Sequence, residues 1–141
     1  MNVWIFQDKP GTDLTTALAT SARDSWWWNV DRYVRDTTEP HIRPGDIALL
    51  WQPYLDPQHP AGVYAYAKVV KGPYEQNNEK TRWRVDLHIT EVLKEPITRD
   101  AIRKTRNPTL NAMLIMRMPA GHIVFPVSAE QWAALQQLHA S

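Results

Sequence analysis

The chain has 141 residues, 43% of them hydrophobic and 22% charged, with a net charge of +1. That is enough for one well-buried core, too little for two ordinary domains, and far from the composition of disordered chains. Near-neutrality argues against a binder held mainly by phosphate contacts, and the absence of cysteine excludes disulfides, thiolate metal sites and a cysteine nucleophile.

Val3, Trp4, Ile5 and Phe6 predict a short buried strand, ended by the turn residues Lys9-Pro10-Gly11. Thr12 or Asp13 caps a predicted helix with Leu14, Ala17, Leu18 and Ala22 at helical spacing. Three consecutive tryptophans follow, Trp26-Trp27-Trp28, then Asn29. Val30 to Arg35 reads as a short helical or irregular piece. Pro44-Gly45-Asp46 is a tight turn, from which residues 47–51 leave as an apolar strand. Pro53, Pro57 and Pro60 restrict the next loop to an ordered rim.

Residues 63–70 predict another strand, and residues 72–81, polar and rich in asparagine, predict a mobile loop. Between Trp83 and Leu93 apolar and polar residues alternate, the clearest two-residue period in the chain and the mark of a half-buried strand. Thr98 caps a predicted helix through Lys104, and residues 108–113 add a helical turn. Residues 123–127 are a last strand, with Pro126 assigning it to a sheet edge. Ser128 and Gln131 form a capping box for a C-terminal helix that turns Trp132 and Leu135 inward. With no repeats and no linker, residues 1–141 read as one α+β domain, a strongly curved sheet or small barrel with helices outside. Residues 1–10 lack a basic segment followed by an apolar run, and no stretch reaches the roughly 18 apolar residues of a membrane span. The expectation is a soluble cytoplasmic domain without a membrane partner.

Catalytic signatures are missing. His41, His59, His88, His122 and His139 show no metal-ligand spacing, and neither a nucleophile elbow nor a phosphate loop is present. No catalytic residue, metal or cofactor is therefore expected. The aromatic residues point elsewhere. Trp4, Trp83 and Trp132 occupy inward positions, but three adjacent indoles cannot all be core, because a strand alternates its side chains and a helix spreads them around its axis. The tryptophan run and Trp51 stand beside Ser25, Asn29, Arg32 and Gln52. Flat rings stack on the face of a nucleobase while amides pair with its edge.

At this point the chain resembles a known family, the EVE domain of the PUA-like superfamily, which also contains the YTH and ASCH domains. Val3-Trp4-Ile5-Phe6 is similar to its opening strand. Trp27-Trp28-Asn29-Val30-Asp31-Arg32-Tyr33 with Arg35 resembles its tryptophan-bearing segment, and residues 42–51 resemble its Gly-Asp turn and following strand. Residues 62–70 and 83–87, Pro96-Ile97, residues 114–117 and 123–127, and Trp132 continue the match in order. The resemblance implies a PUA-like strongly curved mixed sheet or small β-barrel flanked by helices, and a pocket that holds a modified base of DNA or RNA in an aromatic cage. By position it implies base contacts from Trp26, Trp27, Trp28 and Asn29, with Trp27 as stacking wall. It puts Trp51 and Gln52 at the pocket floor, where Trp51 is bulkier than the small polar residues of many relatives. Tyr74 is a candidate lid ring, and Arg32, Arg35 and Arg117 are candidate phosphate contacts.

Two other classes remain at this level. One is an ASCH-like amidohydrolase acting on an acylated nucleoside, sketched on Lys68 with Asp46 or Lys71 with Glu75. The other is a protein-interaction domain using the 53–60 loop and exposed tryptophans. The leading expectation is a reader of a modified base, acting alone or beside a nuclease or other protein partner.

Overall fold

The computed structural model describes residues 1–37, 41–76, 83–120 and 123–140, excluding the side chains of residues 35 and 36. The opening apolar run is β1 (Val3–Gln7), and the first helix, α1 (Leu14–Thr20), starts at Asp13, whose carboxylate accepts from the N–H groups of Thr15 and Thr16. The tryptophan run is itself a strand, β2 (Trp26–Asn29), followed by α2 (Asp31–Asp36). Next come β3 (Ile47–Gln52), β4 (Gly62–Glu75) and β5 (Trp83–Thr98). Then α3 (Arg99–Lys104), α4 (Pro108–Asn111) and α5 (Leu114–Arg117) lead to β6 (Val124–Val127) and α6 (Ala129–Ala140).

The strands form one mixed six-stranded sheet in the order β2-β5-β4-β3-β1-β6. Only β1 and β3 run parallel, with Ile5 opposite Leu49; the other pairs are antiparallel. Both faces of this parallel pair are covered, which is why its sequence is almost wholly apolar. Trp4, Phe6, Ala48 and Leu50 enter one core, with Trp28, Val69 and Leu87. Val3, Ile5, Leu49 and Trp51 enter a second, with Ile102, Leu110, Ile115 and Leu135 from the helices.

Repeated register shifts between β4 and β5, and one between β3 and β4, increase the local twist and curve the sheet. Gly62 permits the tightest crossing, because a Cβ there would stand 2.4 Å from the Ile97 carbonyl oxygen. The curved sheet stays open, with β2 and β6 as its edges. Across the gap, the Phe6 and Trp28 rings pack with centroids 6.0 Å apart. Thus β2 faces β1 without a ladder between them.

The sequence expectations hold for most elements, including Pro126 on an edge strand and the reciprocal Ser128–Gln131 capping bonds. Two boundaries change. Strand β4 runs on to Glu75, through part of the predicted mobile loop, and β5 passes Pro96 to reach Thr98. Pairing of Tyr74 with Arg84 and of Val63 with Ile97 holds these extensions, a tertiary effect that local polarity does not reveal. The rest of that predicted loop, residues 77–81, lies outside the described residues.

Asp46 joins the first strands. The Pro-Gly-Asp turn places Gly45 at φ +96°, which suits glycine, and delivers the Asp46 side chain almost wholly buried. Its Oδ1 accepts from the Asn2 N–H at 2.9 Å, and its Oδ2 accepts from the Trp4 indole and the Arg43 N–H, each at 2.9 Å. Hydrogen bonds to a charged group are worth about 1.5–3 kcal/mol each, and burying a donor without its acceptor adds a penalty. Asp46→Ala is expected to lower the unfolding free energy by about 3 kcal/mol or more, and Trp4→Phe, which removes one of those donors, by less. Urea unfolding measures both.

The proline-rich loop is tied to α1. His59 Nδ1 lies 2.8 Å from Asp56 Oδ1, and its Nε2 is 3.8 Å from Asp13 Oδ2. The hydrogen bond to Asp56 raises the His59 pKa above 6.5 and lowers that of Asp56 below 3.8, while the Thr16 hydroxyl chiefly lowers that of Asp13. The histidine contribution is complete below pH 6.5 and fades as pH rises through its folded value; the carboxylate contribution is complete above pH 3.8 and fades as pH falls through theirs. The stability difference between wild type and His59→Gln, followed by thermal unfolding across pH, should therefore be largest between pH 3.8 and 6.5. It should be modest, because the pair is solvent-screened.

Candidate functional site

The gap between β2 and the end of β1 is a cleft of 280 Å³, walled by Trp26, Trp27, Trp28 and Asn29 on one side and Gln7, Asp8 and Lys9 on the other. It adjoins a second hollow of 450 Å³ that shares Gln7, Asp8, Lys9 and Ile123 and adds Arg32, Trp51, Tyr54 and Pro119. Small-molecule pockets commonly run from about 300 to 1,000 Å³, so the two together have the scale of a bound base with its flanking groups.

Strand alternation gives each indole a different job. Trp28 is buried against Phe6, Trp26 is half-buried on the same core, and Trp27 points outward with 45% of its surface exposed. All three still border the cleft, because β2 is the end strand and one of its edges has no strand partner. The Arg84 guanidinium lies 5.2 Å from the Trp27 ring centroid. It is braced by the Tyr74 hydroxyl, to which its Nε donates; that hydroxyl donates in turn to Asp86 at 2.7 Å. A cation over one face of an exposed indole holds the ring in place and leaves the other face for stacking. Asn29 Oδ1 accepts from the Asp31 N–H at 2.8 Å, fixing the start of α2 and leaving its Nδ2 end for another acceptor. Asp31 in turn accepts from the Trp83 N–H, tying α2 to β5.

A larger cavity lies elsewhere among the described residues: 610 Å³ between α1, the 53–60 loop and β5, lined by Leu18, Pro57, His59, Tyr64, Val92 and Pro96. Two of its polar groups are committed locally, with Tyr64 donating to the Pro60 carbonyl at 2.7 Å and His59 held by Asp56. It has volume but no tryptophan in its lining, so the tryptophan cleft is the better candidate. Among the described residues no group of three or more histidines and carboxylates is placed to hold a metal ion.

The EVE domain family model matches residues 2–138. This chain belongs to the EVE domain family. No curated protein sequence matches it. A solved protein from Pseudomonas syringae shares the fold with TM-score 0.75 at 18% identity, over 97% of this chain and 99% of that one. Human THYN1, in complex with 5-methylcytosine-containing DNA, gives 0.71 at 15% identity over 100% and 99%. The YTH domain of Zygosaccharomyces rouxii MRB1, in complex with N6-methyladenosine RNA, gives 0.54 at 8% identity over 97% and 86%. Such low identities establish the fold, and this EVE domain has the PUA-like architecture of a mixed, curved sheet with flanking helices.

Of the residues singled out from the sequence, this EVE domain brings Trp26, Trp27, Trp28 and Asn29 together on one cleft, with Arg32 and Trp51 on the adjoining hollow. Trp51 is only 1% exposed and belongs mainly to the second core. Gln52 is fully buried and spoken for: its Oε1 accepts from the Leu14 N–H at 2.7 Å, and its Nε2 donates to the Thr12 and Pro53 carbonyls at 2.6 Å each. Tyr74 lies on β4 rather than in a mobile loop, so it supports Arg84 behind Trp27 instead of closing over the cleft. Arg117 is exposed at the end of α5 and does not line either hollow, and the side chain of Arg35 lies outside the described residues, as does His122.

The amidohydrolase sketch on Lys68 and Asp46 loses its carboxylate, because Asp46 is occupied by three structural donors. For the second sketch, Lys71 lies on β4 with its Nζ 4.5 Å from the Tyr74 ring centroid and lines neither hollow. Sequence reasoning missed Gln7, Asp8, Lys9 and Arg84. The first three follow an apolar strand and look like ordinary turn residues; only the return of β2 makes them a wall. Gln52→Leu should destabilise the fold by about 2–3 kcal/mol in denaturant unfolding, because one buried and two partly buried backbone groups lose their partner.

Proposed function

We propose that this EVE domain is a reader that holds a flipped, modified nucleobase of DNA or RNA in the cleft between β2 and the end of β1. The observation that carries this reading is the convergence of Trp26, Trp27, Trp28 and Asn29 on one base-sized hollow, with the Trp27 ring fixed from one side by Arg84. The base stacks on an indole, and its edge meets the Asn29 amide and the unpaired edge of β2. Two solved proteins of the same fold, human THYN1 and the yeast YTH domain, hold 5-methylcytosine DNA and N6-methyladenosine RNA respectively, which supports the choice of ligand class.

An added methyl group contributes about 0.8 kcal/mol when buried, or about fourfold in affinity, so discrimination beyond that rests on polar contacts. Arg32, on the rim of the adjoining hollow, is the proposed phosphate contact, and the near-neutral chain keeps the affinity for plain polymer low.

Titration of tryptophan fluorescence with short oligonucleotides carrying one 5-methylcytosine or N6-methyladenine tests the reading. The expected result is saturable quenching, stronger for a modified than for the matching plain oligonucleotide. Trp27→Ala should weaken binding roughly 5- to 150-fold, the range set by about 1–3 kcal/mol per stacked base. Equal, unsaturable responses to every oligonucleotide would overturn the reading.

A further inference from the structure

Asp8 is the acidic residue in the wall of the tryptophan cleft. It leaves the end of β1 with its backbone N–H donated to the Trp51 carbonyl at 3.1 Å, so its position is set by β3 rather than by a loose turn. Its Oδ1 accepts from the neighbouring Lys9 N–H at 2.8 Å, and its Oδ2 has no hydrogen-bond partner among the described residues. The side chain borders both the tryptophan cleft and the adjoining hollow, at the point where they meet. Burial raises its pKa above 3.8, opposed by the Lys9 N–H and the Lys9 charge. A half-buried carboxyl with an unused oxygen, opposite three indoles, lacks a structural purpose of the kind that occupies Asp46.

We infer that Asp8 selects the class of base, accepting a hydrogen bond from an exocyclic amino group, so that the cleft takes cytosine- or adenine-type bases and rejects thymine and uracil. The inference rests on the base-reading function proposed above and adds the chemistry of the edge. Cytosine and adenine carry an amino donor where thymine and uracil carry a carbonyl oxygen, and an acidic side chain is the complement of that donor. Against a carbonyl the same oxygen meets only an acceptor, and both are left unpaired away from water. The amides beside it are each held by the fold through one end. The Gln7 amide donates to the Pro119 carbonyl at 2.9 Å, and the Asn29 amide oxygen is held by Asp31.

5-Methylcytosine and thymine form the discriminating pair, because they share the ring and the 5-methyl group and differ at the amino or carbonyl edge. In one single-stranded sequence, wild type should bind the 5-methylcytosine oligonucleotide roughly tenfold or more tightly than the thymine one. Asp8→Ala should bring that ratio to within about twofold, chiefly by weakening 5-methylcytosine. Asp8→Asn, which keeps an acceptor oxygen in the same place, should retain most of the preference. Circular dichroism and thermal unfolding of each variant check that the fold is kept, and if the alanine variant does not fold, Asp8→Leu, of similar size and without an acceptor, takes its place with the same expected loss of preference.

Trp27-dependent binding with equal affinity for the two bases, or an unchanged ratio in Asp8→Ala, overturns the role of Asp8 and leaves the reader function standing. Absence of Trp27-dependent binding to any base overturns both.

Discussion

The buried carboxylate of Asp46 holds the sheet in the shape everything else uses. It gathers the N-terminal backbone, the Trp4 indole and the start of its own turn onto one side chain, and the backbone bonds around it join β1, β3 and β4. With those strands fixed, the end of β1 has one place to go. Gln7 and Asp8 are tied there by backbone bonds to Ile123 and Trp51, so the wall they form is as rigid as the sheet itself.

The opposite wall is built by a different kind of constraint. Strand β2 is short and terminal, held by its ladder to β5 and by the packing of Trp28 against Phe6. Burial of Trp28 is what positions Trp27, because alternation on a strand forces a neighbour of a buried ring outward. The exposed indole is then kept from collapsing onto the surface by Arg84 and Asp86 of β5 with Tyr74 of β4. A preorganised ring loses less entropy on binding than a mobile one, which is the advantage of such bracing for stacking. The amide of Gln52 does the corresponding work under α1, where it satisfies three backbone groups at once.

The polar groups around the sheet divide into those the fold occupies and those that border the cleft. Asp46, Gln52 and Asp31 have their acceptors and donors occupied by the fold. Asp8, the Nδ2 end of Asn29 and the free edge of β2 face the space between the indoles. These groups can match the edge of a flat ring.

The sequence alone determined the apolar strands, the capping signals at Thr98 and Ser128, the Pro-Gly-Asp turn and the membership in a fold family. Each of these is either a periodic or a nearest-neighbour property. It also identified the tryptophan run as the feature to explain, since steric alternation forbids burying three adjacent rings. Only the tertiary structure decided which ring is exposed, because that depends on which face of β2 meets Phe6. It likewise reassigned Gln52 and Tyr74 from ligand contacts to supports and placed Asp8 opposite the indoles. Those outcomes arise from contacts between residues far apart in the chain, and sheet curvature, not local composition, brings them together.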